Sequence, residues 1–348
     1  MKHLKFIVFV LMTMVGTKAY AHHIEVANSD GVTIYYNYLT VNNVKYLEVT
    51  YQGSSASDYS NEYYGNIVIP EYVTFEGNSY QVTNIGMRAF QNCTRLTSIT
   101  LPTSVKYFSS WAFSGCTGLT AVYISDLTTW CNTYFSTENS NPLYYAHHLF
   151  VDGIEVKDLI LPSGYVNFGS YTFAGCSGLT SLVIPSTLLV ISRKMFYGCS
   201  GLTSISIPSN VVDIENGAFM NCSGLQSIDI PSSVTSIKAS TFSGCSNLSS
   251  ISIPSSVTSI EGWAFEGCSS LSSFSIPSGL TCVREGTFKN CMGLKSIDIP
   301  SSITYVEHNA FEGCTSLDSV KINDLFSWCG IDFYDHYSNP LFLPTIYI

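Results

Sequence analysis

Cysteine is the residue type in this chain whose placement first suggests chemistry. Twelve are present, and nine of them (Cys93, Cys116, Cys176, Cys199, Cys222, Cys245, Cys268, Cys291 and Cys314) fall three residues after a phenylalanine. In an exported chain an even set of cysteines suggests disulfides. Their spacing argues for another state. From Cys176 onward the series advances by 23 residues at each step, so its members occupy one slot in successive copies of a repeat. Parallel strands stack about 4.8 Å apart, within the separation a disulfide accepts. Equivalent side chains point the same way, however, whereas a disulfide needs converging Cβ atoms. The expectation is a ladder of free thiols packed as small hydrophobes. Cys282 stands outside that slot, where other copies carry an outward residue such as Ser236 or Ser259, and is a candidate exposed thiol.

Other reactive types are less organised. Serine is abundant, but nucleophilic catalysis needs a base beside it, and the seven histidines do not recur in register. His147 and His148 have the ligand type for a metal; adjacent side chains point apart, though, and the internally aligned positions are Thr345 and Ile346. Asp229 and Asp298 share one outward column three copies apart, about 14 Å at the strand spacing. That exceeds the roughly 6.5–9.5 Å between the carboxylates of inverting glycosidases. No glycine-rich phosphate loop follows a strand. The residues therefore point away from an enzyme, with no catalytic, cofactor or metal site expected.

The element that positions all of these is the repeat. Prolines at 162, 185, 208, 231, 254, 277 and 300 keep the count without a slip, and a fixed period of this length indicates a solenoid. In the copy from Leu202 to Cys222, Ile205 and Ile207 alternate inward with Ser204 and Ser206 outward, as in a strand. Pro208 cannot donate a ladder hydrogen bond and ends it. Val211 and Ile214 mark a second short extended edge, and Gly217-Ala218-Phe219 turns the phenylalanine inward. No copy can bury this stripe alone, so neighbouring coils must share one core.

Of 348 residues, 46% are hydrophobic and 11% charged, with a net charge of -10. Few basic residues and no basic run speak against nucleic acid or an anionic membrane as partner. Residues 1–21 read as a secretory signal: Lys2 and Lys5 precede an apolar core from Phe6 to Gly16, and Ala19-Tyr20-Ala21 supplies a cleavage site after Ala21. Eleven apolar residues fall short of the roughly 20 that a spanning helix needs, and no later stretch does better, so the mature chain is expected to be exported without a transmembrane segment.

Residues 22–65 are tyrosine- and β-branched-rich and predict a small β-rich cap over the open end of the array, with a polar loop at 54–61. A hairpin is expected around Glu76-Gly77-Asn78, where nine extra residues interrupt the period. Repeats are assigned to 66–317. Two copies share a variant, Asp126-Leu127-Thr128-Thr129-Trp130-Cys131 and Asp324-Leu325-Phe326-Ser327-Trp328-Cys329, in which the aspartate can cap a short helical turn. The first lies in one 37-residue coil, 119–155, with a tight hairpin at Val151-Asp152-Gly153-Ile154. The second, 318–348, predicts a carboxy-terminal cap shielded by Trp328 and Phe333.

The pattern Leu-x-x-Ile-x-Ile-Pro, Val-x-x-Ile, Ala-Phe-x-x-Cys, with its Asp-Leu-x-x-Trp-Cys variant, resembles the BspA-like leucine-rich repeats from about Ile67 to Cys329. The resemblance implies a leucine-rich-repeat solenoid, a right-handed superhelix rich in β-structure with short helical or 3-10 turns and a parallel strand array on its concave side. It also implies an exported or surface protein, of a family in which several members are regarded as adhesins for host matrix proteins or other cells, and no catalytic residues. Lys194-Met195 and Gly286-Thr287 depart from the pattern before Phe196 and Phe288, and no carboxy-terminal sorting tail is recognisable.

One outward column gives the candidate contact residues: Tyr123, Ile160, Val183, Ser206 and Asp229, apolar at first and polar afterward. Adjacent outward apolar residues suggest a contact patch; alternatively the 37-residue coil folds back over them. The expected function is adhesion or protein binding at the cell surface, with an extracellular or host-surface protein as partner. A glycan-binding accessory protein and a structural surface-layer component are the alternatives. Oligomeric state is left open.

Overall fold

A computed structural model describes residues 22–53, 62–165, 167–340 and 345–347. The expected signal segment and the 54–61 loop lie outside the described residues. The chain divides into two compact units, Met1–Val156 and Lys157–Ile348.

The carboxy-terminal unit displays the repeat in its regular form. In the coil beginning at Leu202, Ser204–Ser206 is the longer edge and Asp213–Ile214 the shorter one. Ile205 is buried between two exposed serines, as the alternation requires. The next coil pairs in parallel with a shift of one period: Ser204 faces Ser227, Ile205 faces Ile228 and Ser206 faces Asp229. Hydrogen bonding thus runs between coils, and each strand is short because the proline after it offers no N–H.

Phenylalanine fills the interior at a constant position. Phe173, Phe196, Phe219, Phe242, Phe265, Phe288 and Phe311 stack ring on ring, with centroids 5.5–5.9 Å apart and planes within 9° of parallel. The cysteines are free, and the ladder is buried except at its half-buried last rung, Cys314. They are more than small hydrophobes. The Cys222 Sγ donates to the carbonyl of Phe196 at 3.1 Å, and that same oxygen accepts the Cys199 N–H at 3.1 Å. The contact repeats from Cys199 on Phe173 to Cys314 on Phe288, at 3.0–3.2 Å. Each of these thiols therefore satisfies the second lone pair of a phenylalanine carbonyl in the preceding coil. The residue before each cysteine has a left-handed backbone, φ between 59° and 84°, and is always Gly or Asn.

In the amino-terminal unit Ile24–Ala27, Thr33–Val41 and Val44–Thr50 form an antiparallel meander. Its second turn has Asn42 and Asn43 at φ 49° and 63°, the left-handed pair of a type I′ hairpin. Val44–Thr50 then pairs in parallel with Asn78–Ile85, itself hairpinned to Tyr72–Phe75 around Glu76-Gly77, and the sheet continues through Tyr107–Phe108 to Tyr134–Phe135. The cap is thereby woven into the short edges of the first coils. Gly86 lies at that seam: its N–H donates to the Val49 carbonyl at 2.8 Å, and a Cβ there would sit 2.7 Å from the same oxygen. Tyr63 opens the aromatic stack, 4.7 Å from Phe90, which lies 4.8 Å from Phe113. Its hydroxyl donates to the Thr50 carbonyl and accepts the Tyr35 N–H, tying the stack to the meander.

The long edges of this unit form a second sheet in the order Ile154–Glu155, Leu149–Val151, Ala121–Ile124, Leu96–Thr100, Gly65–Val68. The 37-residue coil contributes the first two and turns through Asp152-Gly153 with φ 48° and 80°, the tight hairpin that the sequence predicts. Asp126 and Asp324 cap Leu127–Cys131 and Leu325–Cys329, each accepting two backbone N–H groups. In both, hydrogen bonds, led by the one from the Thr129 or Ser327 hydroxyl, hold the carboxyl below its ordinary range.

Two outcomes follow from this packing. Phe242→Ala is expected to cost about 3–5 kcal/mol in denaturant unfolding, because the rings on either side cannot collapse into the gap. Alkaline pH should also destabilise the fold. Burial raises the ladder thiols Cys116 and Cys199 to Cys314 above 9.0, to about 12 for Cys245 and Cys314. Below pH 9 both states are protonated; as pH rises through 9 toward 12 only the unfolded chain ionises and stability is lost. The denaturant midpoint should hold steady up to about pH 8.5 and fall beyond it, less steeply in Cys245→Ala.

Candidate binding surfaces

The outward column of the long edges is set by strand alternation. In the carboxy-terminal unit Ile160 and Val183 are paired neighbours on adjacent parallel strands, 68% and 55% exposed. Ser206 and Asp229 follow on the next two strands, also exposed. Asp298, further along that column, is half-buried and meets the Lys321 ammonium at 3.5 Å.

Tyr123 belongs to the amino-terminal unit. There the 37-residue coil continues the sheet beside it: Phe150 pairs with Tyr123, and the rings stack at 4.8 Å and 28°. Tyr123 is half-buried as a result. Glu155 pairs with Phe150 across the hairpin and accepts a 2.6 Å hydrogen bond from His148. His147 is exposed, with left-handed backbone at the end of Leu143–Ala146. Among the described residues no three His, Cys, Asp or Glu side chains converge as metal ligands.

A second surface was not singled out from the sequence. In the amino-terminal unit the meander and the first short edges enclose an open cleft of about 690 Å³. Leu39, Val41 and Tyr46 come from the meander, Gln81 and Asn84 from the strand it pairs with, and Ser104, Lys106 and Tyr107 from the following coil. Tyr107 pairs with Tyr134 on the neighbouring strand; both are more than half exposed, and their centroids are 6.3 Å apart. The Ser104 hydroxyl is buried with no hydrogen-bond partner. Burial holds the Lys106 ammonium below its usual range, partly countered by Asp126. The available signal was Tyr107 itself. It occupies the outward position of the short edge where other coils carry Asp213, Ser236 or Ser259.

Cys282 lies in that same outward position of its own coil and is half-buried, its Sγ 3.8 Å from a Glu307 carboxylate oxygen. Burial first, and then that carboxylate, push the thiol up. The exposed thiol is Cys329, whose counterpart in the first variant copy, Cys131, is buried. Mass-spectrometric mapping after brief alkylation of the folded chain should find Cys329 modified first, Cys282 slowly, and the ladder cysteines only after denaturation.

A family model for the BspA type leucine rich repeat region matches the sequence in six copies, over residues 60–143, 145–261 and 235–334. No curated protein matches. Among solved structures, the pneumococcal vaccine antigen PcpA is similar at 17% identity and a TM-score of 0.50, over 91% of this chain and 89% of that one. A leucine-rich cell surface protein of Faecalibacterium prausnitzii aligns at 24% identity and a TM-score of 0.48, over 89% and 98%. A leucine-rich repeat protein of Eubacterium ventriosum aligns at 18% and 0.48, over 90% and 95%. At these identities the likeness to PcpA bears on the fold alone. No helix among the described residues is long and apolar enough to cross a membrane.

Proposed function

This chain belongs to the BspA type leucine-rich repeat family, and from that premise we propose that it is an exported, non-catalytic recognition protein. Its partner in this reading is an extracellular or host-surface protein, and the contact surface is the outward face of the long edges. The observation that supports it is the pair Ile160 and Val183, exposed side by side on paired strands. The chain supplies its own comparison, because the equivalent positions carry Ser206, Ser252 and Ser275. Exposed apolar side chains on adjacent strands gain nothing from solvent, and a contiguous patch of them is the usual mark of a contact site. Ser206 and Asp229 extend the patch with polar groups suited to a rim. In the amino-terminal unit Tyr123, stacked on Phe150, offers a rigid aromatic contact of the type enriched where binding energy concentrates.

Surface plasmon resonance against a panel of extracellular matrix proteins, with a light-scattering mass measurement alongside, tests this. Ile160→Ser with Val183→Ser is expected to weaken the interaction at least about ten-fold while stability stays within about 0.5 kcal/mol, as for other exposed positions. Tyr123→Ala should weaken it independently. Binding that ignores both variants would sink the assignment, and concentration-dependent self-association without a soluble ligand would favour a structural surface component.

A further inference from the structure

We propose a second site, independent of the strand-face reading: the cleft of the amino-terminal unit binds a neutral saccharide. Its volume, about 690 Å³, falls within the roughly 300–1,000 Å³ typical of small-molecule sites, and it lies wholly inside one compact unit. Three features of its wall select the chemistry.

The first is aromatic. Tyr107 lines the cleft, and strand pairing holds Tyr134 beside it, outside the lining; each presents more than half its surface to solvent. Neither ring is spent on the core, which the residues after them, Phe108 and Phe135, fill instead. A tyrosine offers a flat apolar face with a polar tip, and a pyranose ring offers a matching face of C–H bonds edged with hydroxyls.

The second feature is the balance of donors and acceptors. Gln81 and Asn84 can each donate and accept, and hydroxyls join them around the wall. Glu71 and Lys106 are its two charged groups and are opposite in sign. An anionic ligand would find one cation offset by an acid, while an apolar ligand would strip water from the amides without replacing its hydrogen bonds. A polyhydroxyl compound satisfies both kinds of group without carrying charge.

The third is the Ser104 hydroxyl. It belongs to a residue only 8% exposed, in the wall of the cleft, and it has no hydrogen-bond partner. A buried hydroxyl left unpaired destabilises the free protein, and such groups call for an explanation. The Ser104 side chain, turned toward the cleft, would find the missing partner in a ligand hydroxyl.

The full chain should be applied to an array of neutral hexose and N-acetylhexosamine oligosaccharides of about two to six units, beside acidic oligosaccharides and a random peptide set. Retention of at least one neutral class is expected, with the affinity then measured by calorimetry. Tyr107→Ala should weaken it about ten-fold, Tyr107→Phe should largely retain it, and the exposed Val212→Ser should leave it unchanged. Ser104→Ala gives a signature of opposite signs: removing the orphan hydroxyl raises the melting temperature of the free protein yet weakens the saccharide. Circular dichroism confirms that each variant is folded. Retention of no neutral oligosaccharide would overturn the proposal. So would binding indifferent to Tyr107→Ala, or Tyr107-dependent capture of peptides or acidic sugars alone.

Discussion

Everything in this molecule depends on backbone hydrogen bonds that leave one coil and end in the next. A coil satisfies only its turns by itself; the N–H and C=O groups of its extended edges, two to five residues long, need partners in the neighbouring coils. Partners therefore come from residues about 23 positions away: Ser204 with Ser227, Ile205 with Ile228, Asp213 with Val190. The phenylalanine carbonyl carries the tightest version of the constraint. It takes the N–H of the cysteine that closes its own turn and the thiol of the cysteine one coil further on. With both lone pairs used, the turn is fixed in height as well as in direction. From Cys176 to Cys314 every coil accordingly has 23 residues, and the residue before the cysteine has a left-handed backbone.

Variation is admitted only where it returns a strand in register. The 37-residue coil wanders through a 3-10 turn and a short helical turn, yet brings Leu149–Val151 back beside Ala121–Ile124, residue for residue. The amino-terminal meander obeys the same rule by a different route. It donates Val44–Thr50 to the short edges, with one irregularity between Leu47 and Glu48 and with Gly86 allowing the close approach at the seam. Tyr63 then does for the aromatic stack what Val44–Thr50 does for the sheet, since its ring ends the stack and its hydroxyl binds the meander.

Once register is fixed, surface composition follows by columns. From Ser206 onward the outward long-edge column is polar, and against that background Tyr123, Ile160 and Val183 stand out as departures, as Tyr107 does on the short edge. In a fold whose core is set by repetition, the interior carries stability, and the proposed contact surfaces lie at the exceptions. The thiols illustrate the division. The nine repeated cysteines are spent on packing, and seven of them on a phenylalanine carbonyl as well, whereas Cys329, the exposed one, sits in a variant copy.

The sequence alone determined the repeat, its two edges, the inward phenylalanines, the free-thiol ladder and the capping aspartates of both variants. Each rests on interactions between residues a constant distance apart, so periodicity carries the information. It also marked Ile160 and Val183 as outward, since alternation along a strand is local. Tertiary structure alone decided what non-equivalent residues do together. That Cys222 reaches the carbonyl of Phe196, 26 residues back, depends on coil height rather than on residue type. That the meander joins the short edges, placing Leu39 and Tyr46 opposite Ser104 and Tyr107 around one cleft, depends on a strand pairing that no period encodes. The repeat could be read because it is written many times; the cleft is written once, in three segments, and exists only when folding brings them together.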